Sequence, residues 1–302
     1  MVLTNYHTHT KFCDGMELPV RYAEEAIKQN VKVLGYSAHA PVPFPCTWTL
    51  PYEDFQEYLS AIDSLKTKFA DQLEICCGLE IDYIPQLWPQ MKEMINPCQL
   101  DYFIGVVHFI DCFDDGTPWT IDGSNEEFLK GWIEIYQRGS HALIQKYFNY
   151  TQQMIRDMRP PVIGHLDKIK MQYRDNCFIP ETDKVYRREL VKTLEEIASA
   201  NCIVEINTRG VYKRNEPDFY PSSWVLTEMA KLKIPVMINS DAHRPNEILL
   251  LFDKAIEQLR KAGYKTIRYL SKGEWIDELI SKNNILAIYE NHDFGRQFRQ
   301  DS

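Results

Sequence analysis

Asp241-Ala242-His243 ends an apolar run, and His7-Thr8-His9 ends another near the N-terminus. Side chains two apart on an extended segment point to the same face, so each pair can converge on one metal ion. Of the eight histidines, six fall at or just past the end of an apolar run: His7, His9, His39, His108, His165 and His243. His141 and His292 do not, and carry no such expectation. Carboxylates show the same placement: Glu80 ends the run Ile75-Cys-Cys-Gly-Leu-Glu80, Asp241 ends the last one, and Asp14 follows the first in a Lys-Phe-Cys-Asp-Gly loop. Asp14 also suits a turn or helix cap. Nine potential ligands exceed the needs of one catalytic zinc, which leaves a coordination position open. They imply two or three ions, and imidazole with carboxylate suits Zn, Mn, Fe or Co. Closely spaced ions of this kind hydrolyse phosphate esters: a hydroxide between them attacks phosphorus while another ion steadies the leaving oxygen.

A phosphate ester also needs cations from the protein. Arg209, in Asn207-Thr-Arg-Gly210, is placed to take phosphate oxygens bidentately. Lys168 and Lys170 follow His165, and Arg244 adjoins His243, so these three are further candidates. Asn207 and Ser240 stand close enough to support the ligands. The loop 40–51 begins right after His39 and carries four prolines with Phe44 and Trp48. It reads either as a rigid connection or as a cover whose Trp48 packs on the organic part of a substrate. An acidic insertion at 111–127 is read only as a possible rim.

These residues must be positioned by alternating elements. Apolar strands are expected at 3–7, 31–37, 73–81, 102–107, 162–164, 202–207 and 235–240. Amphipathic helices are expected at 18–29, 52–69, 126–158, 182–200, 221–231 and 246–262. The β-α rhythm favours a parallel sheet with right-handed crossovers. Seven strands in this length fit a single-domain α/β barrel, TIM-barrel-like, with a core at about 2–262. The C-terminal extension, 263–302, is read as a closing strand and short helix followed by a fraying tail from 289. In such barrels the C-terminal strand ends carry the active site, which is where the six histidines fall.

At 302 residues, with 44% hydrophobic and 25% charged content, the chain can bury a large core. The net charge of −9 argues against a general nucleic-acid binder. Eight cysteines without a CxxC pair, and no leader sequence, suggest reduced thiols in a cytoplasmic protein. No apolar run approaches the ~20 residues of a membrane span. The expected partner is a small-molecule phosphate ester, and the chain is expected to be a monomer or small homo-oligomer.

His7-Thr-His9, Ser37-Ala-His39, Gly78-Leu-Glu80, Gly105-Val-Val-His108, Gly164-His165 and Ser240-Asp-Ala-His243 resemble, in order, the PHP (polymerase and histidinol phosphatase) superfamily. Gly78-Leu-Glu-Ile-Asp-Tyr83 and Ile163-Gly-His-Leu-Asp-Lys-Ile-Lys170 look like its histidinol-phosphatase branch. The resemblance implies a distorted (β/α)7 barrel with three divalent ions. By position, His7, His9, Glu80 and Asp241 would hold the first ion. Glu80 would bridge to a second, held also by His108 and His165. Asp14, His39 and His243 would hold the third. Many superfamily members have His where Asp14 stands, which would shift that ion toward Mn or Fe. The implied reaction is hydrolysis of L-histidinol phosphate in histidine biosynthesis, with Glu80, Asp241, His243 and Arg209 carrying the catalysis. Another small phosphate ester, a nucleotide or phosphodiester, a non-catalytic module of this family and an amidohydrolase are the competing readings.

Overall fold

Seven short parallel strands run side by side in the computed structural model, which describes residues 2–172 and 179–280. They are β1 (Thr4–Asn5), β2 (Val33–His39), β3 (Glu74–Asp82), β4 (Tyr102–Val106), β7 (Val162–Ile163), β8 (Ile203–Asn207) and β9 (Val236–Asn239). Between β4 and β7 an antiparallel hairpin, β5 (Phe109–Cys112) and β6 (Pro118–Thr120), fills the acidic insertion. The order β1-β2-β3-β4-β7-β8-β9 is the chain order, and all six pairings are parallel. All seven expected strands are present within two or three residues of the expected bounds.

The first and last strands close the sheet into a nearly complete barrel, but not with an ordinary ladder. His9 N donates to Ala242 O at 2.8 Å and Ala242 N to His7 O at 3.0 Å, which makes a single parallel bridge. Below it, side-chain amides replace backbone partners: Tyr6 N donates to Asn239 Oδ1 (2.8 Å) and Ser240 N to Asn5 Oδ1 (3.1 Å).

Helices cover the outside: α1 (Pro19–Lys28), α2 (Phe55–Lys68), α3 (Trp88–Ile95), α4 (Asn125–Glu134), α5 (Ser140–Met158), α6 (Lys184–Ala200), α7 (Arg209–Arg214), α8 (Ser223–Lys231) and α9 (Phe252–Ala262). Local chemistry explains their limits. Pro19 opens α1 at a position where its missing N–H costs nothing, and the Asp183 carboxylate caps α6 by accepting from Val185 N and Tyr186 N. The single helix expected at 126–158 is two. Gln137 and Arg138 adopt φ of 47° and 63°, left-handed values that an α-helix cannot contain. α3 and α7 were not foreseen, being short and weakly periodic.

Strands buried on both faces send alternate residues into the barrel and out toward the helices. Cys77, Leu79 and Ile81 join the outer core, while Cys76 joins Tyr6, Val33, Tyr102, Ile104, Val106, Ile203 and Met237 in a separate inner cluster. Tyr102 fills the centre of that cluster because Gly35 and Gly78 leave room for it. A Cβ at Gly35 would lie 2.4 Å from its hydroxyl, and one at Gly78 2.6 Å from its ring. The C-terminal extension is more than a strand after the core. It forms a hairpin, β10 (Thr266–Ser271) and β11 (Glu274–Leu279), and sends Leu270 into the inner cluster. Leu270 N and O both bond the Tyr6 hydroxyl, so the hairpin plugs the end of the barrel opposite the histidines. Residues 281–302, with the expected short helix, the fraying tail and His292, lie outside the described residues, as does Cys177. Cys13, Cys46, Cys76, Cys77, Cys112 and Cys202 are free thiols. Among the described residues no helix is long and apolar enough to cross a membrane.

Candidate metal centre

The alternation that fills the lower barrel with apolar groups places polar ones at its upper end. On β3, Cys76, Gly78, Glu80 and Asp82 share the inner face, and on β8 Ile203, Glu205 and Asn207 do. Glu80 and Glu205 therefore stand inside the barrel mouth, 1% and 0% exposed.

Glu80 is the hub. Its Oε2 lies 2.9 Å from His39 Nδ1, 3.3 Å from His7 Nε2 and 3.4 Å from His9 Nε2. Its Oε1 lies 2.8 Å from His165 Nε2 and 3.9 Å from His108 Nε2. One carboxylate thus faces five imidazoles, with each oxygen serving a different group. Asp241 Oδ1 lies 3.7 Å from His7 Nε2, 3.4 Å from His9 Nε2 and 3.5 Å from His243 Nδ1. Asp14 meets His243 Nε2 at 3.0 Å, His9 Nδ1 at 3.6 Å and His39 Nε2 at 3.8 Å.

All nine residues expected to be ligands converge, but their nearest groupings differ from the sets implied by resemblance. Ligand atoms lie within 4.8 Å of one another in three groups: His7, His9 and Asp241; His9, Asp14, His39 and His243; and His39, Glu80 and His108. His9 belongs to two groups, His39 joins the group around Glu80, and His165 reaches the centre through its bond to Glu80.

Does this donor set fit metal ions? His7 Nε2, His9 Nε2, His39 Nδ1, Asp14 Oδ1 and Glu80 Oε2 are buried, face the centre and make no well-aligned hydrogen bond, His39 Nδ1 and Glu80 Oε2 included, although they stand 2.9 Å apart. Buried polar atoms are nearly always satisfied, so five orphans in one place mark where cations belong. Electrostatics agree. Burial opposes the charge on Glu80 and Asp241, yet the surrounding imidazoles, and Arg209 beside Asp241, hold both carboxyls well below the usual range. Burial pulls His7 down, but Glu205, Asp241 and Glu80 lift it well above its ordinary value. Burial and the neighbouring His243 and His39 drive His9 down to about 3.

A second layer of carboxylates aims the imidazoles. Glu205 takes the His7 Nδ1 proton (2.9 Å), Asp82 takes that of His108 (3.0 Å), and the Asp241 carbonyl takes that of His243 (3.0 Å). Each bond directs the other ring nitrogen to the centre, as second partners of metal-binding histidines do. Sequence reading missed Glu205, although its two-residue offset from Asn207 was a usable signal. It also missed Asp82, two positions after Glu80 on the same face, and Glu247, which accepts from His243 N (2.8 Å) and Arg244 N (3.0 Å). Two centre-facing residues, His165 (φ 22°) and Asp241 (φ 55°), hold left-handed backbone. Such strain costs on the order of 1–3 kcal/mol each and persists where surrounding bonds fix it.

A cavity of about 120 Å³ opens on the centre. It is lined by the expected ligands Asp14, His39, Glu80, Asp241 and His243 together with Arg209, Gly210, Lys168, Arg214, Tyr220 and Asp122. The Arg209 guanidinium donates to Asp241 O at 3.0 Å and approaches Glu247 at 3.4 Å. Lys168 Nζ lies 3.1 Å from His108 Nε2 and 3.0 Å from Asp122, a half-buried acid of the insertion that sequence reading left unassigned. Arg214 and Tyr220 were likewise unforeseen.

Two expected cations lie elsewhere. Lys170 is 6% exposed and turns away from the cavity, bonding Phe219 O (2.6 Å), Ser222 Oγ and Asp167 (3.1 Å). It follows Lys168 by two in a 3-10 turn, whose three-residue period sends them to different sides. Arg244 is exposed and does not line the cavity, and Glu247 accepts from its backbone N–H. Trp48 meets His39 edge-on, with centroids 4.7 Å apart, and stacks on Phe109 at 5.2 Å, while Phe44 packs against Phe109 at 5.2 Å. The proline-rich loop is thus a fixed aromatic wall beside the centre.

The model of the PHP domain family matches residues 5–209, so Asp241 and His243 lie beyond the matched stretch. The chain is similar to the histidinol-phosphatase of Bacillus subtilis, 27% identical over 267 residues, covering 83% of this chain and 97% of that protein. It is 23% identical over 268 residues to the histidinol-phosphatase of Saccharomyces cerevisiae, covering 78% and 74% of the two chains. Its fold matches the crystal structure of histidinol phosphate phosphatase from Lactococcus lactis complexed with zinc, L-histidinol and phosphate. That match has a TM-score of 0.70 and 23% identity, and covers 91% of this chain and 99% of the other.

Proposed function

The chain belongs to the PHP domain family, and on that footing we propose that it is a metal-dependent histidinol-phosphatase. It would convert L-histidinol phosphate to L-histidinol and inorganic phosphate. The observation that carries this reading is Glu80 facing five imidazoles, with unpartnered ligand atoms around it and Arg209, Lys168 and Arg214 lining the same cavity. The names of the relatives support the choice of substrate.

In this reading His7, His9, Asp241 and Glu80 would hold one divalent ion, and Glu80, His108 and His165 would hold a second. Asp14, His39 and His243, with His9 beside them, would hold a third. Zinc, manganese and iron all suit the donors, and the carboxylate of Asp14 favours the harder two at the third position. Bound there, the ions supply Lewis acidity toward the phosphate and lower the pKa of water.

The chain's own residues do the rest. Arg209 binds phosphate oxygens and meets the charge that develops on them, and its bonds to Asp241 O and Tyr212 hold it in position. Lys168, beside His108, adds a second positive charge to the cavity. Glu205 and Asp82 keep His7 and His108 in the tautomer whose free nitrogen faces inward. Trp48, stacked on Phe109, offers a flat apolar face to the organic part of the substrate and excludes water from that side.

The test is elemental analysis of protein purified without added metal, together with phosphate release from L-histidinol phosphate, nucleoside monophosphates and a phosphodiester. About three ions per chain and a marked preference for L-histidinol phosphate are expected. Activity that survives complete metal removal, or preference for the diester, would overturn the proposal.

A further inference from the structure

Tyr220 lines the cavity beside Arg209, Gly210 and Arg214. It is 3% exposed, and its hydroxyl is buried with no hydrogen-bond partner among the described residues. Three contacts fix the ring. Its backbone forms an antiparallel bridge to Asn207, with Asn207 N to Tyr220 O at 2.7 Å and the reverse bond at 3.2 Å. Gly210 packs flat against it: a Cβ there would lie 2.7 Å from the ring and 3.1 Å from the hydroxyl oxygen. The Lys170 ammonium, tethered to Phe219 O and Asp167, stands 5.1 Å from the ring centroid.

A phenol so confined cannot turn to find a partner elsewhere, and leaving it unmade is costly unless a ligand completes it. Burial, with Glu216 adding and Arg214 opposing, pushes its ionisation well up, so at neutral pH it remains an O–H donor. Three cations line the cavity with it, Arg209 on the adjoining turn, Arg214 and Lys168, against one acid outside the expected ligands, Asp122, which pairs with Lys168. That lining calls for an anion.

We propose that the Tyr220 hydroxyl is a ligand of the phosphate group, donating a hydrogen bond to a non-leaving phosphoryl oxygen held by Arg209. This rests on the reading that the cavity receives a phosphate ester. Arg209 provides charge, and Tyr220 provides a neutral donor of fixed direction. Gly210 is the residue that lets the ring sit against the turn carrying Arg209. Lys170 serves the site indirectly, by holding the loop that carries Tyr220.

The test is Tyr220→Phe in the metal-loaded full chain, which keeps the ring and its packing. Three quantities are measured: the dissociation constant of inorganic phosphate by calorimetry, the rise in melting temperature that phosphate produces, and kcat/KM on L-histidinol phosphate and p-nitrophenyl phosphate. Phosphate binding and kcat/KM on both esters should each fall about ten- to a hundredfold, the range for a hydrogen bond to a charged group. Without phosphate the variant should melt no lower than the parent and carry the same metal, because no protein partner is lost. Phosphate should then stabilise it less. Unchanged phosphate affinity would overturn the proposal. So would a loss confined to the alkyl ester, which would make Tyr220 a proton donor to the leaving group. If the parent binds phosphate but does not hydrolyse L-histidinol phosphate, the substrate reading fails, while the phosphate affinities still judge Tyr220.

Discussion

Glu205→Gln keeps the shape of a buried side chain and removes only its capacity to accept on both oxygens. Four donors converge on Glu205. His7 Nδ1 (3.0 Å), His165 N (2.9 Å) and Asn207 Nδ2 (2.8 Å) reach Oε1, and His7 Nδ1 (2.9 Å) and Asn239 Nδ2 (2.9 Å) reach Oε2. A glutamine must place its NH2 at one of the two positions. At Oε1 it opposes the backbone N–H of His165, which cannot turn, and the Asn207 amide, whose oxygen already accepts from Arg209 N. At Oε2 it opposes the Asn239 amide, whose oxygen already accepts from Tyr6 N, and it leaves His7 Nδ1 only the 3.0 Å contact to the remaining oxygen. The first orientation strands two buried donors, and the second strands one and loosens the hold on His7. The second is the less costly, so at about 1–3 kcal/mol per stranded donor the cost is roughly 1–3 kcal/mol. At about 2.1 cal/mol/K of unfolding entropy per residue, a 302-residue chain loses roughly 1.6 °C of melting temperature per kcal/mol, so the metal-free variant should melt about 2–5 °C lower. Metal affinity should fall about ten- to a hundredfold, as when a second partner of a ligand histidine is lost. The assays are melting curves of metal-free protein and metal content after dialysis against a graded chelator. A variant with parental melting temperature and parental metal retention would refute the argument that Glu205 aims His7.

Three further outcomes are expected. Burial pulls His39 down, but Glu80 and Asp14 raise it to about 9 in the metal-free protein, against 6.5 when unfolded. Its contribution to stability is therefore fully present below about pH 6.5 and lost as pH rises through 9, so the metal-free melting temperature should fall between pH 7 and 10. Metal uptake at pH 7 must also displace that proton, so the heat of binding should depend on the ionisation enthalpy of the buffer; a heat independent of buffer would contradict this. Leu270→Ala removes the plug at the far end of the barrel, where Leu270 is 2% exposed. It should destabilise by about 2–5 kcal/mol while leaving kcat/KM of the metal-loaded enzyme unchanged. A loss of activity without a loss of stability would mean that the two ends of the barrel are coupled.

Much of the site was legible because ligands at strand ends obey a strict geometry. His7 with His9, and Asp241 with His243, stand two apart just past the ends of apolar runs, which marked them, although Asp241 takes a left-handed φ of 55° beyond β9 and joins a different group from His243. Residues whose role depends on a partner distant in sequence were not legible. Nothing near Glu205 shows that it receives His7, which is 198 positions away. Lys168 and Lys170 look equivalent in the chain, and only the 3-10 turn sends one into the cavity and the other to Phe219 and Asp167. Tyr220 has no motif around it, and its place comes from the bridge to Asn207 and from the missing side chain of Gly210.

By itself the sequence determined the alternation of seven apolar strands with amphipathic helices, and the concentration of imidazole and carboxylate at the strand ends. Both follow from residue spacing within single elements, which is local. Only the tertiary structure decided which oxygen of Glu80 faces which histidines, which carboxylates orient the rings, and which cations reach the cavity. Those are distances of a few ångströms between strands that the chain joins only through long crossovers, and they are set when the barrel closes Asp241 and His243 against His7 and His9.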